Sequence, residues 1–134
     1  MMKKISHIGI AVRSLDQSIP LYRDAFGLDY RGTELVAEQK VRVAMFDVAG
    51  VHIELLEPTS EDSPIAKFLE KSGPGMHHIC FDVDDVDESL KELAAKSIQL
   101  IDEHSRSGAG ATRVGFLHPK STGGVLVELN SKST

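Results

Sequence analysis

Cysteine is nearly missing from this 134-residue chain, with Cys80 its single example. One cysteine excludes an internal disulfide and fits a reducing compartment, so the cytoplasm is the expected location. The neighbours Ile79 and Phe81 mark Cys80 as small apolar filler rather than a reactive thiol. Long apolar runs are missing too. None approaches the roughly 18 residues of a membrane helix, and the basic Lys3-Lys4 start has no apolar stretch behind it, so neither a membrane span nor a signal peptide is expected. Basic runs are the third absence. With a net charge of −5 and no interleaving of aromatic and basic residues, nucleic acid is not an expected partner. What remains is 41% hydrophobic and 26% charged, an ordinary composition for one compact globular domain.

The organising feature of the chain is an internal repeat. Ser6-His7-Ile8-Gly9-Ile10-Ala11-Val12 reads against His77-His78-Ile79-Cys80-Phe81-Asp82-Val83, placing His7 on His78 and Val12 on Val83. The same register carries Asp16 onto Asp87 and Ser18 onto Ser89. The ends repeat as well: Gly50-Val51-His52-Ile53-Glu54-Leu55 reads against Gly124-Val125-Leu126-Val127-Glu128-Leu129. Each half therefore has a histidine early in its first strand and a glutamate in its last. Two copies related by an approximate twofold would gather two His and two Glu, the donor set of a divalent metal.

Periodicity and turn chemistry give both halves the plan βαβββ. In the first, Ile5–Val12 reads as a strand, and Ser14 or Asp16 caps a helix whose apolar face runs through Ile19, Tyr22 and Phe26 to a stop at Gly27. Pro20 fits its first turn if the cap is Asp16 or later. Leu28–Glu34, Lys40–Val48 and Val51–Leu56 read as strands, the last two joined by a turn at Ala49-Gly50. The connector carries its own short helix, Ile65–Lys71, between Pro64 and Gly73-Pro74. In the second half, Met76–Val83 is a strand, Asp84–Asp87 caps a helix to about Lys96, and strands are expected at Ile98–Asp102, Thr112–Leu117 and Val125–Asn130. The fold class is α+β, with residues 1–134 forming one domain. Its modules are 1–57 and 75–134, paired about a pseudo-twofold, and 58–74 is the crossover.

Ser107-Gly108-Ala109-Gly110-Ala111 has the glycines of a phosphate loop but lacks its Lys-Ser/Thr ending and leads into a strand, so a hairpin or lid is the better reading. A lone strand histidine is most often a satisfied core or surface residue, and a lone glutamate in Ile-Glu-Leu can simply face solvent. Recurrence in both halves distinguishes His7, Glu54, His78 and Glu128 from that background. Glu54 and Glu128 point away from their apolar neighbours, where an uncompensated carboxylate would be costly if buried. His52 shares the face of Glu54, His77 alternates away from His78, and His104 reads as a surface residue.

Paired βαβββ modules with His and Glu ligands resemble the vicinal oxygen chelate superfamily, which includes glyoxalase I, extradiol dioxygenases and the methylmalonyl-CoA epimerases. Nearly the full length is similar to the epimerases, through Asp62-Ser63-Pro64-Ile65-Ala66-Lys67-Phe68-Leu69, Gly75-Met76-His77-His78-Ile79, Val83-Asp84-Asp85, Phe116-Leu117-His118-Pro119-Lys120 and Gly123-Gly124-Val125-Leu126-Val127-Glu128-Leu129. The resemblance implies metal ligands at His7, Glu54, His78 and Glu128. It implies a divalent ion, with cobalt first and nickel, manganese, magnesium or zinc as alternatives, an acyl-CoA substrate and a homodimer. This chain departs from the family pattern twice. Some epimerases have Gln where Glu54 stands, which brings the ligand set closer to bacterial glyoxalase I. Some have a glutamate, proposed as a base, where Val43 stands, and Val43 cannot take a proton.

Epimerisation of methylmalonyl-CoA removes a proton from C2 on one face and returns it on the other, so it needs two acid/base groups. The resemblance puts Glu128 in one role; with Val43 inert, Glu54 takes the other. His118 and Lys120 are candidates to meet the free carboxylate or the CoA phosphates. The runner-up is glyoxalase I acting on a glutathione hemithioacetal. A third reading, a small-molecule binding protein without turnover, fits the retained four-ligand pattern less well.

Overall fold

A computed structural model describes residues 1–132. They form two compact units: His7–His77, and Met1–Ser6 together with the residues from His78 onward. The expected α+β class is the one observed. Among the described residues, no helix is long and apolar enough to cross a membrane.

The first unit is built from β1 (Lys4–Ala11) from His7 on, α1 (Leu15–Pro20), β2 (Asp29–Val36), β3 (Val41–Val48), β4 (Val51–Pro58) and α2 (Pro64–Ser72). Its sheet runs β2-β3-β4-β1, with β1 and β4 parallel and the other pairs antiparallel. Strand alternation sorts the two faces. Ile10, Ile53, Leu55, Ala44, Phe46 and Tyr30 pack beneath Leu15, Ile19 and Tyr22 of the helical segment. Phe46 and Leu55 are fully buried, each contributing on the order of 1.5–3 kcal/mol relative to exposure. The opposite face carries His7, His52, Glu54, Met45 and Val43.

Ser14 is the cap of α1; its hydroxyl accepts the Gln17 N–H. Pro20 consequently stands at the last position of α1, not in its first turn as the alternative cap would have it. Lacking an N–H and crowding the preceding turn, proline forces the ladder to widen. The next five residues, Leu21–Ala25, form a π-helical turn, and the Phe26 N–H donates to the Leu21 carbonyl at 3.0 Å. Gly27, at φ +70°, ends it. In the connector, Ser63 caps α2 by accepting the Ile65 N–H at 3.1 Å, with Pro64 at the first helical position.

The second unit contains β5 (Gly75–Asp82) from His78 on, α3 (Val86–Ala95), β6 (Arg106–Gly108), β7 (Thr112–Leu117) and β8 (Val127–Lys132). Its order, β5-β8-β7-β6, with β5 and β8 parallel, repeats the plan of the first unit. Val127, Leu129, Leu117, Ile79 and Phe81 pack against Val86, Leu90 and Leu93 of α3. Gly115 lets that helix approach: a Cβ there would lie 3.0 Å from Leu90 Cδ1 and 3.2 Å from Val86 Cγ1. Asp85 caps α3 through the Glu88 N–H. The first six residues belong here too. Met2 packs on the apolar cluster, the Lys3 N–H donates to the Asp82 carbonyl at 2.8 Å, and the Lys3 ammonium pairs with Asp84.

Three expectations are corrected in this unit. Ile98–Asp102 is not a ladder strand; it makes one isolated bridge, Leu100 to Leu117. Its apolar residues Ile98 and Leu100 join the core, but its backbone is satisfied piecemeal, with the Gln99 N–H on the Ser121 hydroxyl and the Ile101 N–H on the Phe116 carbonyl. The edge strand is Arg106–Gly108 instead, at the start of the glycine-rich stretch, which forms a hairpin. Gly108 serves that hairpin sterically, since a Cβ would meet Val114 Cγ1 at 2.5 Å. The last strand begins at Val127 rather than Val125, because Gly123 and Gly124, at φ +72° and +93°, still belong to the turn.

Candidate metal-binding and catalytic residues

Each unit brings its own histidine and glutamate together. In the first, β1 and β4 are in parallel register with Gly9 beside Glu54, so His7 and Glu54 share a face. His7 Nδ1 lies 3.3 Å from Glu54 Oε2, with the side chains 8% and 10% exposed. In the second, β5 and β8 align Cys80 with Glu128, so His78 and Glu128 share a face. His78 Nε2 lies 3.0 Å from Glu128 Oε1, and both side chains are 5% exposed. The Phe116 ring, opposite Glu128 on β7, meets the His78 ring edge-on at 5.7 Å.

A carboxylate this buried costs several kcal/mol unless compensated. A close imidazole-carboxylate pair is also a ready N,O donor pair for a divalent transition ion, and it occurs in both units. The residues therefore fit the metal that the sequence repeat anticipates.

Cys80 is less incidental than its apolar neighbours imply. It is fully buried, alternates onto the His78 face, and its Sγ is within 4.8 Å of a Glu128 carboxylate oxygen. Its spacing of two from His78 was the available signal. His52 is the partner of His7 in the β1–β4 register and lies 3.7 Å from Asp47. His77 packs its ring edge-on against Phe68 at 5.0 Å, and His104 is exposed.

Val43 is buried on the Glu54 face, and its β2 partner is the exposed Glu34. His118 and Lys120 sit in the turn after β7, where His118 Nδ1 accepts the Lys120 N–H at 3.1 Å and the His118 N–H donates to the Gln99 carbonyl. That bonding fixes the imidazole in the turn and leaves the Lys120 side chain exposed.

The Glyoxalase/Bleomycin resistance protein/Dioxygenase superfamily model matches residues 6–116. The uncharacterized protein YqjC of Bacillus subtilis is 44% identical over 128 residues, covering 96% of this chain and 91% of YqjC. The mitochondrial methylmalonyl-CoA epimerase of Dictyostelium discoideum is 41% identical over 130 residues, covering 96% of this chain and 78% of that protein. A solved methylmalonyl-CoA epimerase in complex with methylmalonyl-CoA and NH4+ matches with a TM-score of 0.93 at 38% identity, over 100% of this chain and 97% of its own. With most of its length accounted for and the His–Glu pairing repeated in both halves, the chain belongs to the Glyoxalase/Bleomycin resistance protein/Dioxygenase superfamily.

Proposed function

We propose that this protein is a metal-dependent methylmalonyl-CoA epimerase, interconverting the 2R and 2S forms by removing and returning the C2 proton. The observation carrying the proposal is the buried His–Glu pair found in each unit, in a chain whose relatives at 41% and 38% identity are named for that reaction. His7, Glu54, His78 and Glu128 are proposed to hold one divalent ion between them, cobalt first. Support for that joint set comes from the sequence repeat and the family. When bound, the ion supplies Lewis-acid stabilisation of the negative charge that develops on the substrate oxygens.

Glu128 accepts or returns the C2 proton on one face, and Glu54 does so on the other, in the place left vacant by the apolar Val43. Burial of both carboxylates keeps water from competing as the proton donor. His118 and Lys120 are proposed to meet the acidic end of the acyl-CoA. A homodimer in the cytoplasm completes the reading.

The deciding experiment incubates metal-loaded protein with methylmalonyl-CoA in D2O. Deuterium should enter C2 with loss of enantiomeric excess. The presence of Glu54, where some epimerases carry glutamine, favours one rival, glyoxalase I. Isomerisation of the methylglyoxal–glutathione hemithioacetal with no exchange into methylmalonyl-CoA would install that rival.

A further inference from the structure

Arg106 has an arrangement that sheet architecture alone does not call for. It is the first residue of the edge strand β6, and its register partner is Val114. Val114 and Phe116 alternate onto one face of β7, and Phe116 is the register partner of Glu128. Arg106 therefore stands on the same face as His78 and Glu128. Its guanidinium lies over the Phe116 ring, 5.8 Å from the centroid, while that ring touches His78.

The guanidinium is also oriented. Arg106 Nε is 3.2 Å from Asp102 Oδ1, and Nη2 is 3.5 Å from Oδ2. Asp102 is itself fixed, because Oδ2 accepts the Phe116 backbone N–H at 2.9 Å. Asp102 is thus tied to the strand that carries the ring, and it accepts one hydrogen bond from the guanidinium, through Nη2, with Nε in ion-pair range. The Arg106 side chain keeps 36% of its surface exposed. An arginine paired with one fixed carboxylate, set over an aromatic ring and still open to solvent is pre-organised to receive an oxyanion on its remaining donors. A lysine, with a point charge on a mobile stem, would not be held this way.

We propose that Arg106 is a specificity-determining residue that recognises the free carboxylate of the substrate, with Asp102 as its positioning residue. This rests on the epimerase reading and adds to it a preference for malonyl-type thioesters over simple acyl thioesters.

The test compares metal-loaded parent, Arg106→Lys, Arg106→Met and Asp102→Asn, each first confirmed as folded by its thermal transition. Calorimetry measures binding of malonyl-CoA and propionyl-CoA, which differ by the carboxylate, and of malonyl-pantetheine, which has the carboxylate without the CoA phosphates. Arg106→Met should weaken malonyl-CoA and malonyl-pantetheine by about 10–100-fold, the usual worth of a charge-assisted contact, and leave propionyl-CoA unchanged. Arg106→Lys should recover part of the loss, and Asp102→Asn should fall between parent and Arg106→Met. An equal loss for malonyl-CoA and propionyl-CoA that vanishes for malonyl-pantetheine would assign Arg106 to a CoA phosphate and overturn the carboxylate assignment. Parent-like binding of all three by Arg106→Met would overturn it while leaving the epimerase reading intact. If the parent binds none of the three thioesters, the epimerase reading fails and the inference fails with it.

Discussion

Glu54→Gln is the substitution that separates ligation from proton transfer. The change is isosteric, so the site, where Glu54 is 7% exposed, gains neither cavity nor clash. The amide oxygen can still ligate an ion and still lies beside His7, whose ring nitrogen is 3.3 Å from the carboxylate in the parent. What disappears is a group that can accept a proton at neutral pH. A positioned acid/base contributes about 10²–10⁴-fold, equivalent to about 2.7–5.4 kcal/mol of barrier at 1.36 kcal/mol per factor of ten. Inversion should fall by that factor. Exchange should not fall uniformly, because Glu128 still serves one face. Each enantiomer of methylmalonyl-CoA, incubated separately in D2O with metal-loaded Glu54→Gln, should behave differently: one takes up deuterium near the parent rate with its configuration retained, and the other scarcely exchanges. Glu128→Gln should give the mirror pattern. Parent-rate inversion by Glu54→Gln would refute the two-glutamate reasoning and direct the search to Glu34, across from Val43, and Glu38 in the turn before β3.

Three other outcomes are expected. His78→Ala should weaken cobalt binding in calorimetry more than His77→Ala, whose cost should not exceed the roughly 10–100-fold of a supporting residue, and His104→Ala should change nothing. Gly115→Ala should lower stability by about 1–3 kcal/mol in thermal or urea unfolding, since the new methyl would press on the fully buried Leu90 and on Val86. Asp87 accepts both the backbone N–H and the hydroxyl of Ser105, which hold its pKa below the ordinary carboxylate range. Its stabilisation is therefore present above the unfolded value of about 3.9 and lost as pH falls through the lower folded value, so the stability gap between parent and Asp87→Asn should shrink below about pH 4.

The His–Glu pair of each unit was legible because its signal is doubled. His7 and His78, then Glu54 and Glu128, occupy matching places in two strands whose alternation fixes which way each side chain points. The backbone features that were not legible share a physical cause: side-chain pattern reports burial and not where the backbone bonds go. Ile98 and Leu100 look like strand residues because they are in the core, yet their segment has a single bridge. The π turn after Pro20 depended on which of Ser14 and Asp16 was the cap, a choice made by one hydroxyl contact with the Gln17 N–H. Arg106 could not be found from sequence at all. It is a lone cation among serines and glycines, and only the Asp102–Phe116 contacts give it a direction.

The placement of Met1–Ser6 has a consequence for how the chain is made. A ribosome delivers these residues before the surfaces they pack on, around Asp82, Val83 and Asp84, which follow more than seventy residues later. The opening segment therefore has no packing surface in its own unit until the residues after His77 are made. Met2 packs on the apolar cluster under α3, so a polar substitution there should register in the later half of the chain. A fragment beginning at His78 should in turn be rescued by a synthetic peptide of the first six residues.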